Sequence, residues 1–144
     1  MQQIALGPWV TQAARASSMV GCRPAVKILI VDEDRLLNRL LSRFLTRNGH
    51  EVHLAGDANQ ALNLLERVGD MGLIVADLHI PDMDGISFVE AVRRDPRHKD
   101  LPVVMTSASA DEQKAERSMR SGAAFFLPKP LDYNRLLSLI RFAE

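Results

Sequence analysis

Four groups of residues in this 144-residue chain could do chemistry together. Asp32-Glu33-Asp34 follows the apolar run Ile28-Leu29-Ile30-Val31. Asp77 follows Leu73–Ala76, Ser107 follows Val103–Thr106, and Lys129 stands between two prolines after Phe126-Leu127. Each group lies at the carboxyl end of a short apolar run. Asp32, Glu33 and Asp77, if brought to one spot, repel and cannot all stay ionised without a cation. The donors are all oxygens, with no imidazole or thiolate placed to join them. A hard divalent ion suits such a set, and Mg²⁺ suits it best, because it accepts a few carboxylates, a carbonyl and several waters. Lys129 adds a second positive centre. Metal and ammonium side by side fit a tetrahedral dianion, with the Ser107 hydroxyl and a backbone amide on a third oxygen. A carboxylate at such a place can also act as nucleophile and form an aspartyl-phosphate. Asp77, alone at the centre of the edge, is the best placed for this. The plainer reading of carboxylates at strand ends is helix capping, and Asp34 is read as such a cap.

These groups need elements that hold them. Val26–Val31 is too short for a helix and rich in β-branched residues, which predicts a buried strand. Asp34 caps a helix running to about Asn48, with Leu36, Leu37, Leu40, Leu41, Phe44 and Leu45 on its inner face and Asn48-Gly49 as its stop. Val52–Ala55 reads as a second strand. A helix starts at Asp57, with Gln60 as capping-box partner. Leu73–Ala76 reads as a third strand, and 78–84 as a loop dense in turn residues. A helix follows over about Ile86–Arg94, then a fourth strand, Pro102–Thr106. A mostly polar helix over Asp111–Arg120 offers little core and is expected to be the least firmly held element. Ala124–Leu127 is a fifth strand, and Leu131–Phe142 a last helix with Tyr133, Leu136, Leu137 and Ile140 inward.

Five strands alternating with five helices imply right-handed crossovers and an α/β doubly wound parallel sheet covered on both faces. In such a sheet functional groups gather beyond the carboxyl ends of the strands, where strand order reverses. With order 2-1-3-4-5, strands one and three are neighbours, and Asp32, Glu33 and Asp77 meet.

Composition narrows the function. Apolar residues are 47% and charged residues 25%, the balance of a globule rather than a disordered chain. Lys plus Arg and Asp plus Glu are 18 each, so nothing pulls the chain as a whole toward nucleic acid or anionic membrane. One cysteine excludes an internal disulfide and a cysteine-rich zinc site, and fits a reducing, cytoplasmic setting. No apolar run has the length of a membrane span. Residues 1–25 contain Arg15 and Arg23 and no acid, lack apolar periodicity, and hold Trp9 and Cys22. They are expected to form a flexible N-terminal extension, with an organelle presequence as the weaker reading. The domain itself is expected over residues 26–144.

Four segments together carry a resemblance. They are Ile28-Leu29-Ile30-Val31-Asp32-Glu33, Ala76 through Gly85 (ADLHIPDMDG), Val103 through Ala108 (VVMTSA) and Phe126-Leu127-Pro128-Lys129-Pro130. In this order and spacing they resemble the signature segments of the response-regulator receiver domain of two-component signalling, across about Val26 to Glu144. The resemblance implies the flavodoxin-like order 2-1-3-4-5, which is a known property of this family. It implies that Asp77 accepts a phosphoryl group and that Glu33 ligates Mg²⁺ directly while Asp32 does so mainly through water. The main-chain carbonyl of His79 would be a further ligand. Lys129 would bind the phosphoryl group, Ser107 would be the switch hydroxyl, and Phe126 the switch aromatic. The Lys129-Pro130 bond is implied to be cis. Three residues depart from the commoner pattern: Glu33 stands in place of aspartate, Ser107 of threonine and Phe126 of tyrosine. None removes an essential group, so the site is expected to be competent.

The implied function is that of a phosphoacceptor rather than a turnover enzyme. A histidine kinase or histidine phosphotransfer protein would donate to Asp77, and the switch would alter a surface read by another protein. A homodimer through the face of helix four, strand five and helix five is one use of that surface. Two rivals stand beside this reading: a binding or dimerisation module of the same fold that works without phosphorylation, and an aspartyl-phosphate phosphatase. The phosphatase would need a second acid two residues after its nucleophile, which Asp32 has in Asp34 and Asp77, followed by His79, lacks. Arg35, Arg39, Arg43 and Arg47 recur every four residues, either as a solvated face or as a docking stripe for the donor. The His79 side chain is either a water gate at the phosphate or a plain loop histidine. His50 and His53 point to opposite faces of a strand and are not read as a metal pair.

Overall fold

Short apolar runs separated by capped amphipathic segments can bury both faces only by stacking helices on a parallel sheet. The computed structural model, which describes residues 25–109 and 112–143, does this. The elements in order are β1 (Lys27–Val31), α1 (Arg35–Arg47), β2 (Glu51–Ala55), α2 (Ala58–Arg67), β3 (Leu73–Asp77), α3 (Gly85–Arg94), β4 (Val103–Ser107), α4 (Glu112–Arg120), β5 (Phe125–Pro128) and α5 (Tyr133–Ile140). All strand pairs are parallel, in the order β2-β1-β3-β4-β5. Short 3₁₀ turns at Pro96–His98 and Arg141–Ala143 follow α3 and α5. The N-terminal extension expected over 1–25 lies, Ala25 apart, outside the described residues, as does the expected start of helix four at Asp111. No helix among the described residues is long and apolar enough to cross a membrane.

The sheet divides the core into two layers, as strand alternation requires. Leu29, Val31, Ile74, Ala76, Val103 and Met105 face one way and pack with Phe88, Val89, Val92, Ala58, Ala61 and Leu65 of α2 and α3. Ile28, Ile30, Val75, Val104 and Leu127 face the other and pack with Leu41, Leu45, Leu136 and Ile140 of α1 and α5. β3 and β4 are buried along their whole length.

α1 departs from the expected inner face. Leu41 and Leu45 are buried and Phe44 packs on Tyr133, but Leu36 and Leu40 are 65% and 49% exposed. A helix lying on a sheet buries a stripe of roughly 100°, and here that stripe centres on Asn38, Leu41 and Leu45. The side-chain amide of Asn38 donates to the Asp32 carbonyl at 2.7 Å, so a polar residue occupies the inner position. α4 buries only Ser118. The last helix ends at Ile140 rather than Phe142, which sits in the 3₁₀ turn with its ring 6.2 Å from Phe125.

Candidate functional site

Register brings the candidate groups to one edge. Val31 pairs with Ala76, so Asp32 and Asp77 are the next residues on neighbouring strands. Asp77 pairs with Thr106, and Ser107 with Pro128, one residue before Lys129. The backbone pins these ends. Asp32 N–H donates to the Ala55 carbonyl at 3.0 Å, Leu78 N–H to that of Thr106 at 2.8 Å, and Lys129 N–H to that of Ser107 at 2.8 Å. The Lys129-Pro130 peptide is cis.

Lys129 Nζ lies 2.7 Å from Asp32 Oδ2 and 3.0 Å from Asp77 Oδ2. Both carboxylates are buried, at 3% and 9% exposure. Burial works against the ammonium, but hydrogen bonds to Asp32 and Asp77, and their charges, outweigh it and hold the Lys129 pKa above the usual lysine value. The remaining oxygens accept backbone amides: Asp32 Oδ1 from Asp34 at 2.9 Å and Asp77 Oδ1 from His79 at 3.0 Å. Ser107 is fully buried, and its Oγ accepts from Ser109 N–H at 3.1 Å, which leaves its own proton to donate. Phe126 is half-buried beside Met105 on the α3 side of the sheet.

One expectation is not met in this conformation. Glu33 is exposed, and no group of three or more His, Cys, Asp or Glu side chains among the described residues closes on a common point. Glu33 instead lines a cleft of about 560 Å³ with Asp32, Arg35, Asn38 and Arg39. The Lys129 ammonium lies between the two buried carboxylates. The donor chemistry still suits a divalent ion. Two buried carboxylates share one ammonium, which leaves one negative charge uncompensated, and each of the four oxygens has made a single hydrogen bond, with a further lone pair left. Asp32, Asp77 and the His79 carbonyl are the groups that would hold Mg²⁺, with Glu33 at the rim.

Other readings sort themselves by geometry. Asp34 Oδ1 accepts from Leu37 N–H and caps α1. The ring of His50 is buried and its Nδ1 accepts from Val26 N–H, while His53 pairs with Glu51 on the sheet edge, so the two histidines do not meet. The His79 side chain is exposed. Two contributors escaped the sequence reading. Asn38 braces the Asp32 main chain from the apolar face of α1, and its Oδ1 has no hydrogen-bond partner. A polar residue inside an apolar helical stripe was the available signal. Asp82 bonds the amino end of α2, 24 residues away, and nothing local announces that.

Comparison with known proteins agrees with this geometry. A family model described as "Response regulator receiver domain" matches residues 28–141. The response regulator protein FleR of Pseudomonas aeruginosa is 36% identical over 116 residues, 81% of this chain and 24% of FleR, so the chain spans about a quarter of that relative's length. An uncharacterised 14.6 kDa protein of Leptolyngbya boryana is 37% identical over 79% of this chain and 86% of its own. Among solved structures, the chemotaxis response regulator CheY4 of Vibrio cholerae superposes with a TM-score of 0.77 at 28% identity, over 84% of this chain and 100% of that one. The non-phosphorylated HemR receiver domain of Leptospira biflexa gives 0.72 at 31% identity, over 82% and 93%. With the flavodoxin-like strand order, the shared ammonium and the family match together, the chain belongs to the response regulator receiver domain family, a signalling domain of two-component systems.

Proposed function

We propose that Asp77 accepts a phosphoryl group from a phosphohistidine of a histidine kinase or phosphotransfer protein. The observation that carries this is the Lys129 ammonium held between two buried carboxylates at the carboxyl edge of the sheet. An Asp77 carboxylate oxygen attacks phosphorus, the P–N bond to the donor imidazole breaks, and the departing imidazole nitrogen takes up a proton. Mg²⁺, when bound, would neutralise charge on the transferring group. The rest falls to the chain. Asp32 shares the ammonium and keeps it aimed at Asp77, and the raised Lys129 pKa keeps it charged at neutral pH. Once the phosphoryl group is on Asp77, Lys129 is within reach of its oxygens and Ser107 can donate its hydroxyl proton to another. That pull on β4 gives Phe126 room to move, and the face of α4, β5 and α5 changes for a protein partner or a second copy.

In this reading residues 26–144 are the receiver and residues 1–25 a separate extension, the domain acts on itself rather than turning over a substrate, and it works in the cytoplasm. Donor docking falls to α1, where Arg35, Arg39, Arg43 and Arg47 are exposed together with Leu36 and Leu40. Asp34 spends its side chain on capping, which argues against its use as the general acid of a phosphatase built on Asp32. Intact-mass measurement after incubation with acetyl phosphate and Mg²⁺ tests the proposal. Wild type should gain one phosphoryl group and Asp77→Asn none. A wild type that gains nothing leaves the phosphorylation-independent binding module as the better reading.

A further inference from the structure

The loop after β3 is tied at three levels. At its base Gly85 N–H donates to the Leu78 carbonyl at 2.7 Å. Above that, His79 and Asp84 form an antiparallel bridge, and Asp84 caps α3 through Ser87 N–H at 2.8 Å. At the tip Asp82 reaches another element. Its Oδ1 accepts from Ala58 N–H at 2.8 Å and its Oδ2 from Asn59 N–H at 2.9 Å. These are the first two amides of α2, which the helix cannot satisfy itself. Asp57 caps the next, Gln60, at 2.8 Å, so two aspartates divide one helix end between them. A carboxylate forked onto that end combines hydrogen bonding with the attraction of the helix dipole. Desolvation opposes the Asp82 charge, but the amides of Ala58 and Asn59, together with those of Asp82 itself and Met83, outweigh it, and its pKa lies below the ordinary aspartate value.

We propose that Asp82 is a positioning residue for the acidic pocket: by clamping the loop tip to α2 it orders the segment that carries the His79 carbonyl and meets Asp77, so that cation binding and order at the amino end of α2 are linked. The inference rests on the reading that the pocket takes a divalent cation. Without the clamp, binding must order the loop as well as fill the site, and the entropy lost weakens it. Linkage is reciprocal, so the ion must in turn hold the clamp shut.

Calorimetric titration of the full chain with Mg²⁺, beside amide hydrogen exchange at Ala58 and Asn59 with and without the ion, tests this. Asp82→Ala should keep its far-UV circular dichroism and bind Mg²⁺ about fivefold more weakly, at the low end of usual coupling between sites. Asp82→Asn, which keeps one acceptor oxygen, should fall between the two. In wild type Mg²⁺ should slow exchange at Ala58 and Asn59, and in Asp82→Ala it should not. A purely structural Asp82 would lower the melting temperature and leave Mg²⁺ affinity untouched. That result, or unchanged exchange in Mg²⁺-bound wild type, overturns the proposal alone. A wild type that binds no Mg²⁺ removes the cation reading and this inference with it.

Discussion

Exchanging Lys129 for methionine keeps the side-chain stem and removes the ammonium. In the wild type that ammonium lies 2.7 Å and 3.0 Å from two carboxylates that are 3% and 9% exposed. Its loss takes a charge-assisted hydrogen bond from each and leaves two buried anions facing one another. Removing one partner from a fully buried ion pair costs roughly 3–5 kcal/mol. The Lys129 side chain is 19% exposed. Screening from that side reduces the expected loss to about 2–3 kcal/mol. With a urea slope of about 1–3 kcal/mol per molar, the unfolding midpoint should fall by roughly 0.7–3 M. Urea titration followed by far-UV circular dichroism at pH 7 reads this directly. Adding Asp77→Asn to the methionine variant removes one of the two anions and should recover about 1 kcal/mol. Asp77→Asn beside an intact Lys129 relieves only the single uncompensated charge of the wild type and should gain less than that, so the double-mutant cycle is non-additive. Mg²⁺ should rescue the methionine variant more than the wild type, because no ammonium competes for the carboxylates, and at a hundredfold excess over its Kd the rescue would be about 2.7 kcal/mol. A midpoint within about 0.3 M of wild type, with an additive cycle, would show that the ammonium is not what makes these buried charges tolerable.

Three further outcomes are expected. A Cβ on Gly85 would lie 2.7 Å from Leu78 Cα and 2.9 Å from the Asp77 carbonyl, both backbone atoms, so Gly85→Ala should cost about 1–3 kcal/mol in denaturant titrations through overpacking. Phe88, fully buried, should cost about 3–5 kcal/mol on replacement by alanine, whereas the exposed Leu36 should cost less than about 0.5 kcal/mol; equal losses would return Leu36 to the core. The raised Lys129 pKa contributes stability that is fully present below the ordinary lysine value of 10.5 and is lost as pH climbs through the higher folded value. Alkaline titration of stability should show that loss in the wild type and not in Lys129→Met.

How far the chain could be read beforehand differs by scale. Strands such as Ile28–Val31 and Leu73–Ala76 were legible because a parallel strand buried on both faces leaves an uninterrupted apolar run, and Asp34 and Asp57 were legible as caps because a cap acts within three residues. The edge that unites Asp32, Asp77, Ser107 and Lys129 followed from strand ends plus the strand order that the family resemblance supplied. What could not be read was the choice among neighbours. Six apolar residues on α1 span more arc than the sheet can cover, and the hydrogen bond from Asn38 to the Asp32 carbonyl decides which side turns in. Glu33 and Asp32 are adjacent in sequence, yet Asp32 is pinned by Asn38 and Lys129 while Glu33 turns to the exposed cleft. Asp82 had every property of a turn residue, and its bonds to α2 depend on tertiary approach alone.

The Lys129–Asp32 contact joins residues 97 apart in sequence. Both aspartates are in place by the end of β3, and Lys129 lies 52 residues beyond the second of them. Asp32 and Asp77 therefore gain their shared counter-ion only when β5, the last strand in chain order, lies beside β4.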